Sequence, residues 1–376
     1  MLMEILKGYF NIFASPQMLI IIAVTVVFFV KNIREAGLRR IVLGESEDSP
    51  LVLTFYQMIF GFAGGLMVTL LAGMLGIAFE SYLEVQMIFM LTVFSATRFS
   101  EYVNIGINVL AVFVVVFLSE KQVIPAMDLI NLYLLVGISL VVHGLVLLAD
   151  RRRGFIPVLF SRQSSIRGGF RMNKTYLIPS AVGFFAASGS ILGMSVFYLA
   201  LIHLFSVKET VMTFSKKQAV SLVSALKILM GTLILVVAYL ISFNMELTYL
   251  LIPLAPFLIY MEKYIFRSLE MRRDPLFVSD EESIMVLEVR ENTPAYRSGL
   301  RSGNRIISLD GKERPTYKSL LSFMGTLHYE RGVSLMVKDE HDEEKLVEFM
   351  IQPDTSTGII IVPPSGEMIF PMENKA

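Results

Sequence analysis

The chain has four histidines, at positions 143, 203, 328 and 341, and no cysteine. A membrane zinc protease needs two histidines one helical turn apart with a glutamate base between them. No such HExxH run occurs. Serine-protease chemistry needs a nucleophile turn of the Gly-x-Ser-x-Gly kind, and that is absent too. Without cysteine there are no disulfides, thiolate metal sites or thiol nucleophiles. We therefore expect no catalytic set, no metal and no cofactor, and hence no enzyme. Two ionisable residues remain in apolar surroundings: His143 in "GISLVVHGLVLLA" and Lys227 in "SLVSALKILMGTL". Charge-bearing groups within a membrane span are candidates for transport or a proton relay. The plainer alternatives are a lysine that snorkels to the headgroups and a histidine satisfied by a neighbouring helix.

The elements around these residues are apolar. Only 18% of residues are charged, against about 25% in a soluble domain, and mean hydropathy is +0.63. Apolar runs of about 20 residues recur, the length that crosses a bilayer core. Spans are read near 17–30, 51–79, 83–97, 103–118, 129–149, 177–205, 219–243 and 246–266. Arg98 and Glu101 mark a turn between the third and fourth. Residues 1–16 form an amphipathic lead, either an interfacial helix or a lead-in to the first span. Small-residue spacings such as "GFAGG" (61–65) suit close helix packing. Net charge is zero, which does not suit nucleic acid as a partner.

Basic loops set orientation. Residues 31–40 are basic, and 151–174 carry seven basic residues and no acidic one, so both belong in the cytoplasm. Three further spans after 174 would place the C-terminal part outside, yet its flank at 262–274 is also basic. One segment must be miscounted. The suspect is 177–205, rich in Gly, Ala and Ser, which could be a tight or re-entrant pair. The C-terminal part is expected in the cytoplasm.

From 276 onward the pattern is that of a small soluble unit. "SIMVLEVR" reads as a strand, "NTPAYRSGL" as a turn and a short helix closed by Gly299, and "RIISLDGK" as a strand ending in a hairpin-type turn. Residues 316–327 have helical spacing, with Leu320, Leu321, Met324 and Leu327 on one face. Two strands around an acidic turn follow, and then a short apolar strand, "TGIIIV". The expected layout is a multi-span helical domain at 17–266 with about seven or eight helices. A basic linker at 267–275, a small α+β domain at 276–364 and a tail at 365–376 complete it.

The combination Pro294, Ala295, Gly299, Leu300, Gly303, Ile306, Asp310 and Gly311 resembles a bacterial-type PDZ domain, a partly open β-barrel. Asn304 stands where such domains often have Asp. The resemblance implies capture of an extended peptide beside an edge strand. Two readings of that strand are open. Either "PLFV" (275–278) supplies it, or "TGIII" folds back to do so. The second is preferred and puts the groove between Gly358, Ile359, Ile360 and Ile361 on one side and Tyr317, Leu320, Leu321 and Met324 on the other. For Leu321 and Ile360 a plain core role is equally open.

As a whole, the layout resembles the MinJ-like family of Gram-positive bacteria: the lead "FASPQMLIIIAVTVVFFVKNIRE", the polytopic middle, the PDZ pattern and the closing "GIIIV". That resemblance implies a scaffold for division-site selection, lying between a DivIVA-type polar protein and a MinD-type ATPase, with the bilayer as anchor and a homo-oligomer possible. The alternative is a regulatory or substrate-presenting subunit of a membrane protease or secretion system.

Overall fold

The computed structural model describes residues 2–43, 49–80, 82–92, 105–120, 125–162, 165–185, 196–313, 315–317, 319–320, 330–339, 341–351 and 357–364. Helix α1 (Leu2–Asn11) leads into α2 (Gln17–Leu43), and α3 is Pro50–Met74. A two-residue strand β1 (Ala78–Phe79), α4 (Tyr82–Leu91), α5 (Ile105–Glu120) and α6 (Ala126–Ala149) follow. Strands β2 (Phe155–Arg162), β3 (Ser165–Phe185) and β4 (Val196–Val211) come next, then α7 (Lys216–Ile241) and α8 (Leu251–Arg272). Among the described residues, five helical segments are long and apolar enough to cross a membrane: Gln17–Gly37, Pro50–Met74, Ala126–Ala149, Lys216–Ile241 and Met245–Arg272. The chain is a membrane protein by this measure, with fewer such segments than the seven or eight expected. Helix α4 is short, and the turn expected at Arg98 and Glu101 lies outside the described residues.

The largest departure from expectation is the segment read as a span at 177–205. It is two antiparallel strands, with Leu177 opposite Leu204 and Phe185 opposite Val196. The basic stretch 151–174 is also strand rather than loop, with β2 pairing β3 from Phe155–Met172 to Arg162–Ser165.

A strand among apolar helices must satisfy its backbone without water. On one side β3 pairs with β4 along sixteen residues. On the other, from Leu177 onward, it lies against α3 with no strand beside it until β1 pairs Gly183 and Phe184. Pro179 is tolerated because its nitrogen faces this helix and no ladder bond is lost. Thr69 Oγ1 accepts the Ala181 N–H at 2.8 Å. Gly61 and Gly65 present bare Cα–H groups to the Leu177 and Pro179 carbonyls, the geometry of weak Cα–H···O bonds. A Cβ at those glycines would stand 2.0 and 1.9 Å from the two oxygens. The glycine spacing thus serves close approach, but to a strand rather than to a second helix. The far edge of β4 is closed likewise, the Leu204 N–H donating to Thr92 Oγ1 at 2.9 Å.

Helix α1 buries Ile5 and Tyr9 against the second half of α3, with Ile5 on Gly73 and the Tyr9 hydroxyl donating to the Phe62 carbonyl at 2.8 Å. It is packed into the helical body as a lead-in, with Leu2, Met3 and Phe10 outward.

The remaining strands form a second sheet: β5 (Ile284–Val289), β6 (Arg305–Leu309), β7 (Lys312–Glu313), β8 (Arg331–Lys338), β9 (Glu344–Ile351) and β10 (Ile359–Ile361), with the one-turn helix α9 (Pro294–Arg297). Their order is β10-β5-β6-β8-β9, with β7 beside β6. A helical part followed by a sheet-rich part is thus the architecture. Residues 267–272, expected as linker, continue α8, and Glu270 accepts the N–H groups of Met212 and Thr213 at 3.1 and 3.0 Å.

Candidate functional site

The turn residues of the C-terminal sheet do what their types require. Thr293 caps α9, its Oγ1 accepting the Tyr296 N–H at 3.3 Å, and Pro294 takes the first helical position, where no N–H is needed. Gly299, Gly303 and Gly311 have φ of +98°, +93° and +77°. Asn304 Oδ1 accepts the Arg301 N–H at 2.8 Å, so amide serves the turn as carboxylate would. Asp310 accepts the Ser334 N–H at 3.0 Å and Arg331 Nη2–H at 2.9 Å. Ala295, Leu300 and Ile306 are buried in the core of this unit.

Of the two strands offered for the groove, β10 is the one beside β5, with Ile359 opposite Val289 and Ile360 opposite Glu288. It ends the sheet. Gly358 enters it at φ +66°, and its carbonyl accepts the Arg290 N–H at 2.8 Å. The competing stretch joins the helical body instead. The Gly168 N–H donates to the Phe277 carbonyl at 2.8 Å, and the Leu276 N–H to the Met212 carbonyl at 2.9 Å. Ile359, Ile361 and Leu320 are buried in the unit's own core, and Tyr317 packs half-buried against it. The helix carrying Tyr317 and Leu320 starts at a cap, with the Ser319 N–H on Thr316 Oγ1 at 3.3 Å. Leu321 and Met324 lie outside the described residues.

The β5–β10 side of the sheet is covered on both faces, whereas Leu346 and Met350 of β9 are exposed. Ile284 and Val286 face its own core, while Met285 and Leu287 join the core of the helical body together with Phe277 and Val362. Ile360 packs on the body's side. Burying each such side chain is worth about 1.5–3 kcal/mol, so the two parts form a continuous packed structure. Lys216, at the start of α7, pairs with Glu288 of β5 and lies 4.5 Å from the Phe170 ring centre.

A second polar locus sits inside the body. Lys227 of α7 does not snorkel. It is 7% exposed and pairs with Glu262 of α8 at 2.8 Å. Glu262 fell within a span read from the sequence. A carboxylate in that run was the available signal for the pair, and it was missed. His143 stacks on Phe205 at 4.4 Å between ring centres, and His203 meets the same ring edge-on at 5.0 Å. Nε2 of His143 and both ring nitrogens of His203 are buried and find no hydrogen-bond partner among the described residues. Beside Lys227 and Glu262 is a cavity of about 30 Å³, lined also by Glu209 and Lys263, room for about one water. Among the described residues no cluster of three or more His, Asp and Glu could hold a metal.

No known family and no curated protein matches the chain.

Proposed function

We propose that the chain is a non-enzymatic membrane scaffold that holds a partner's extended segment along the outer edge of β10, as a PDZ domain does. The observation that carries this reading is β10 itself, a terminal strand entered through a glycine at φ +66° and backed by a packed sheet. Backbone groups along such an edge give affinity, and alternate side-chain pockets give selectivity. The packing of β5 and β10 onto the body supports a groove held at a fixed place beside the membrane, where a weak partner meets a high local concentration.

The contacts support one orientation. Lys31 lies by Asn173 and Thr175, Lys174 by Asp150, and Glu270 by Met212 and Thr213. The basic segments 31–40, 151–174 and 262–274 therefore share one end once β3 and β4 are counted as a there-and-back pair. The positive-inside rule puts that end, and the C-terminal sheet with it, in the cytoplasm. The division-site role, between a DivIVA-type protein and a MinD-type ATPase, is the partner assignment this reading adopts.

The test uses the full chain in nanodiscs, titrated with fluorescent peptides from the C-termini and interaction segments of such partners. Saturable binding of one peptide per chain is expected, lost in Gly358→Val. Failure of every peptide at millimolar concentration, or equal binding by the variant, would reject the groove.

A further inference from the structure

We propose that the membrane body conducts protons along a row of buried polar side chains that leads from Glu209 through Glu262 and Lys227 to His143, His203 and Gln86. Elements distant in sequence supply the row: α4, α6, β4, α7 and α8. At the basic end it opens in the cavity of about 30 Å³, where Glu209, Lys208 and Lys263 stand beside the Lys227–Glu262 pair. Ser224 precedes Lys227 by one turn of α7, and its carbonyl lies so near α6 that a Cβ on Gly144 would meet it at 2.8 Å. This contact sets His143 beside Lys227, and Lys227 and His203 are the charge-bearing groups that act on His143. Both histidines pack on Phe205, and the Phe89 ring centre lies 5.1 Å from that of His203. Gln86, one turn earlier on α4, continues the row toward Glu80. Glu80 is exposed and follows the end of α3 opposite to the one that meets Asn32.

The side chains of the row have the chemistry for the task. Ser224 Oγ and Gln86 Oε1 share with the histidine nitrogens the lack of a hydrogen-bond partner among the described residues. Partnerless polar atoms are few in a packed interior, and each asks for a cause. Ionisable groups at membrane depth mark the paths of ions and protons. A neutral imidazole accepts a proton on one nitrogen and releases another from its second nitrogen. The ring is left in the opposite tautomer, and rotation restores it. The Glu262 carboxylate accepts the proton that arrives from the cavity, and the Lys227 ammonium holds that carboxylate ionised between transfers. One proton enters at one side and one leaves at the other, with every group of the row returned to its starting state. Size selects the proton over a hydrated ion. The cavity has room for about one water, and Phe205 packs on both rings beyond it. This activity belongs to the body and does not depend on the β10 edge.

The test is proton flux through the full chain, reconstituted in phosphatidylcholine liposomes that hold a pH-sensitive dye. A pH difference is imposed, and potassium with valinomycin clamps the potential. Acidification faster than in empty liposomes is expected. The rate should fall about tenfold or more in His143→Phe/His203→Phe, as loss of a positioned proton carrier does. Phenylalanine keeps the ring packing and removes the partnerless nitrogens, so thermal unfolding should be unchanged or higher while flux is lost. His203→Gln, which stays polar but carries no proton, should lower the rate likewise. Acidification no faster than in empty liposomes, wild-type flux in both variants, or sodium entry at a matching rate would each overturn the proposal.

Discussion

Strands β3 and β10 each turn one edge away from the strand that pairs them, and the molecule treats the two edges differently. Along β3 the edge is shut. Gly61 and Gly65 let α3 come within touching distance of the Leu177 and Pro179 carbonyls, and Thr69 takes the Ala181 N–H. Along β10, the end of the second sheet, Gly358 instead sets the chain turning into the strand and the side chains divide between two cores. A strand edge surrounded by apolar helices has no water to fall back on, so closure is obligatory there. In the proposed reading, the β10 edge waits for a guest. The same contrast holds for charge. Within the body Lys227 and Glu262 are closed on each other, whereas Arg267, paired with Glu209, stands half exposed.

The largest effect expected from opening the closed region is at the ion pair. Lys227→Met strands a buried carboxylate, and loss of one partner of such a pair costs about 3–5 kcal/mol. Thermal unfolding in detergent should drop sharply, and Lys227→Met/Glu262→Leu should recover most of it. If the single variant is as stable as wild type, the body is wetter than its packing says. Next comes the sealed edge. Gly65→Ala pushes a methyl into a backbone oxygen that cannot step aside, and overpacking of this kind costs about 1–3 kcal/mol. Gly76→Ala, in open space but at φ +68°, isolates backbone strain from crowding. Equal losses in the two would mean that the close approach to β3 carries no weight.

At the β10 edge, Gly358→Val should destabilise the C-terminal sheet by an amount comparable to Gly65→Ala as well as abolish peptide binding, because φ there is +66° and a Cβ meets Thr293 Cγ2 at 2.7 Å and Arg290 Cβ at 2.8 Å. The join between the regions is softer. Lys216→Ala removes the partner of Glu288 and should cost on the order of 1 kcal/mol, since both groups are partly exposed. It should also raise hydrogen exchange in β5. The smallest effect concerns Asp280. Partial burial pushes its carboxyl up, but the Ser283 and Glu282 hydrogen bonds outweigh this and hold it below the ordinary value. A carboxyl depressed by folding contributes stability above its unfolded value and loses it as pH falls through the folded one. Asp280→Asn should therefore loosen the start of β5 at neutral pH, with the difference from wild type shrinking below about pH 4.

What could be read in advance was whatever a single residue type enforces. Gly299, Gly303 and Gly311 were legible because positive φ selects glycine, and the strand and turn order around them followed. The long helices were legible from length alone. The β3–β4 ribbon was not, because a strand buried on both faces and a buried helix share one unbroken apolar pattern. Pro179 did not distinguish them, since Pro256 lies inside helix α8. "SIMVLEVR" held a clearer hint. Its run of Ile284, Met285, Val286 and Leu287 has no polar face, as suits a strand covered on both sides, and the second cover proved to be the helical body. The strand lying beside β5 could be narrowed to two stretches from sequence. Only pairing distinguished them, since Phe277 and Ile360 are equally apolar and differ in which backbone they meet.

The central claim is that β10 offers its edge to another polypeptide while the body holds it in place. The direct measurement replaces Tyr317 with a photo-cross-linking aromatic residue in the full chain and maps the adduct in cells. The account predicts a covalent link to a second polypeptide, absent when Gly358→Val is added. Adducts confined to the chain's own 321–364 segment, or a link to another protein that survives Gly358→Val, would contradict it.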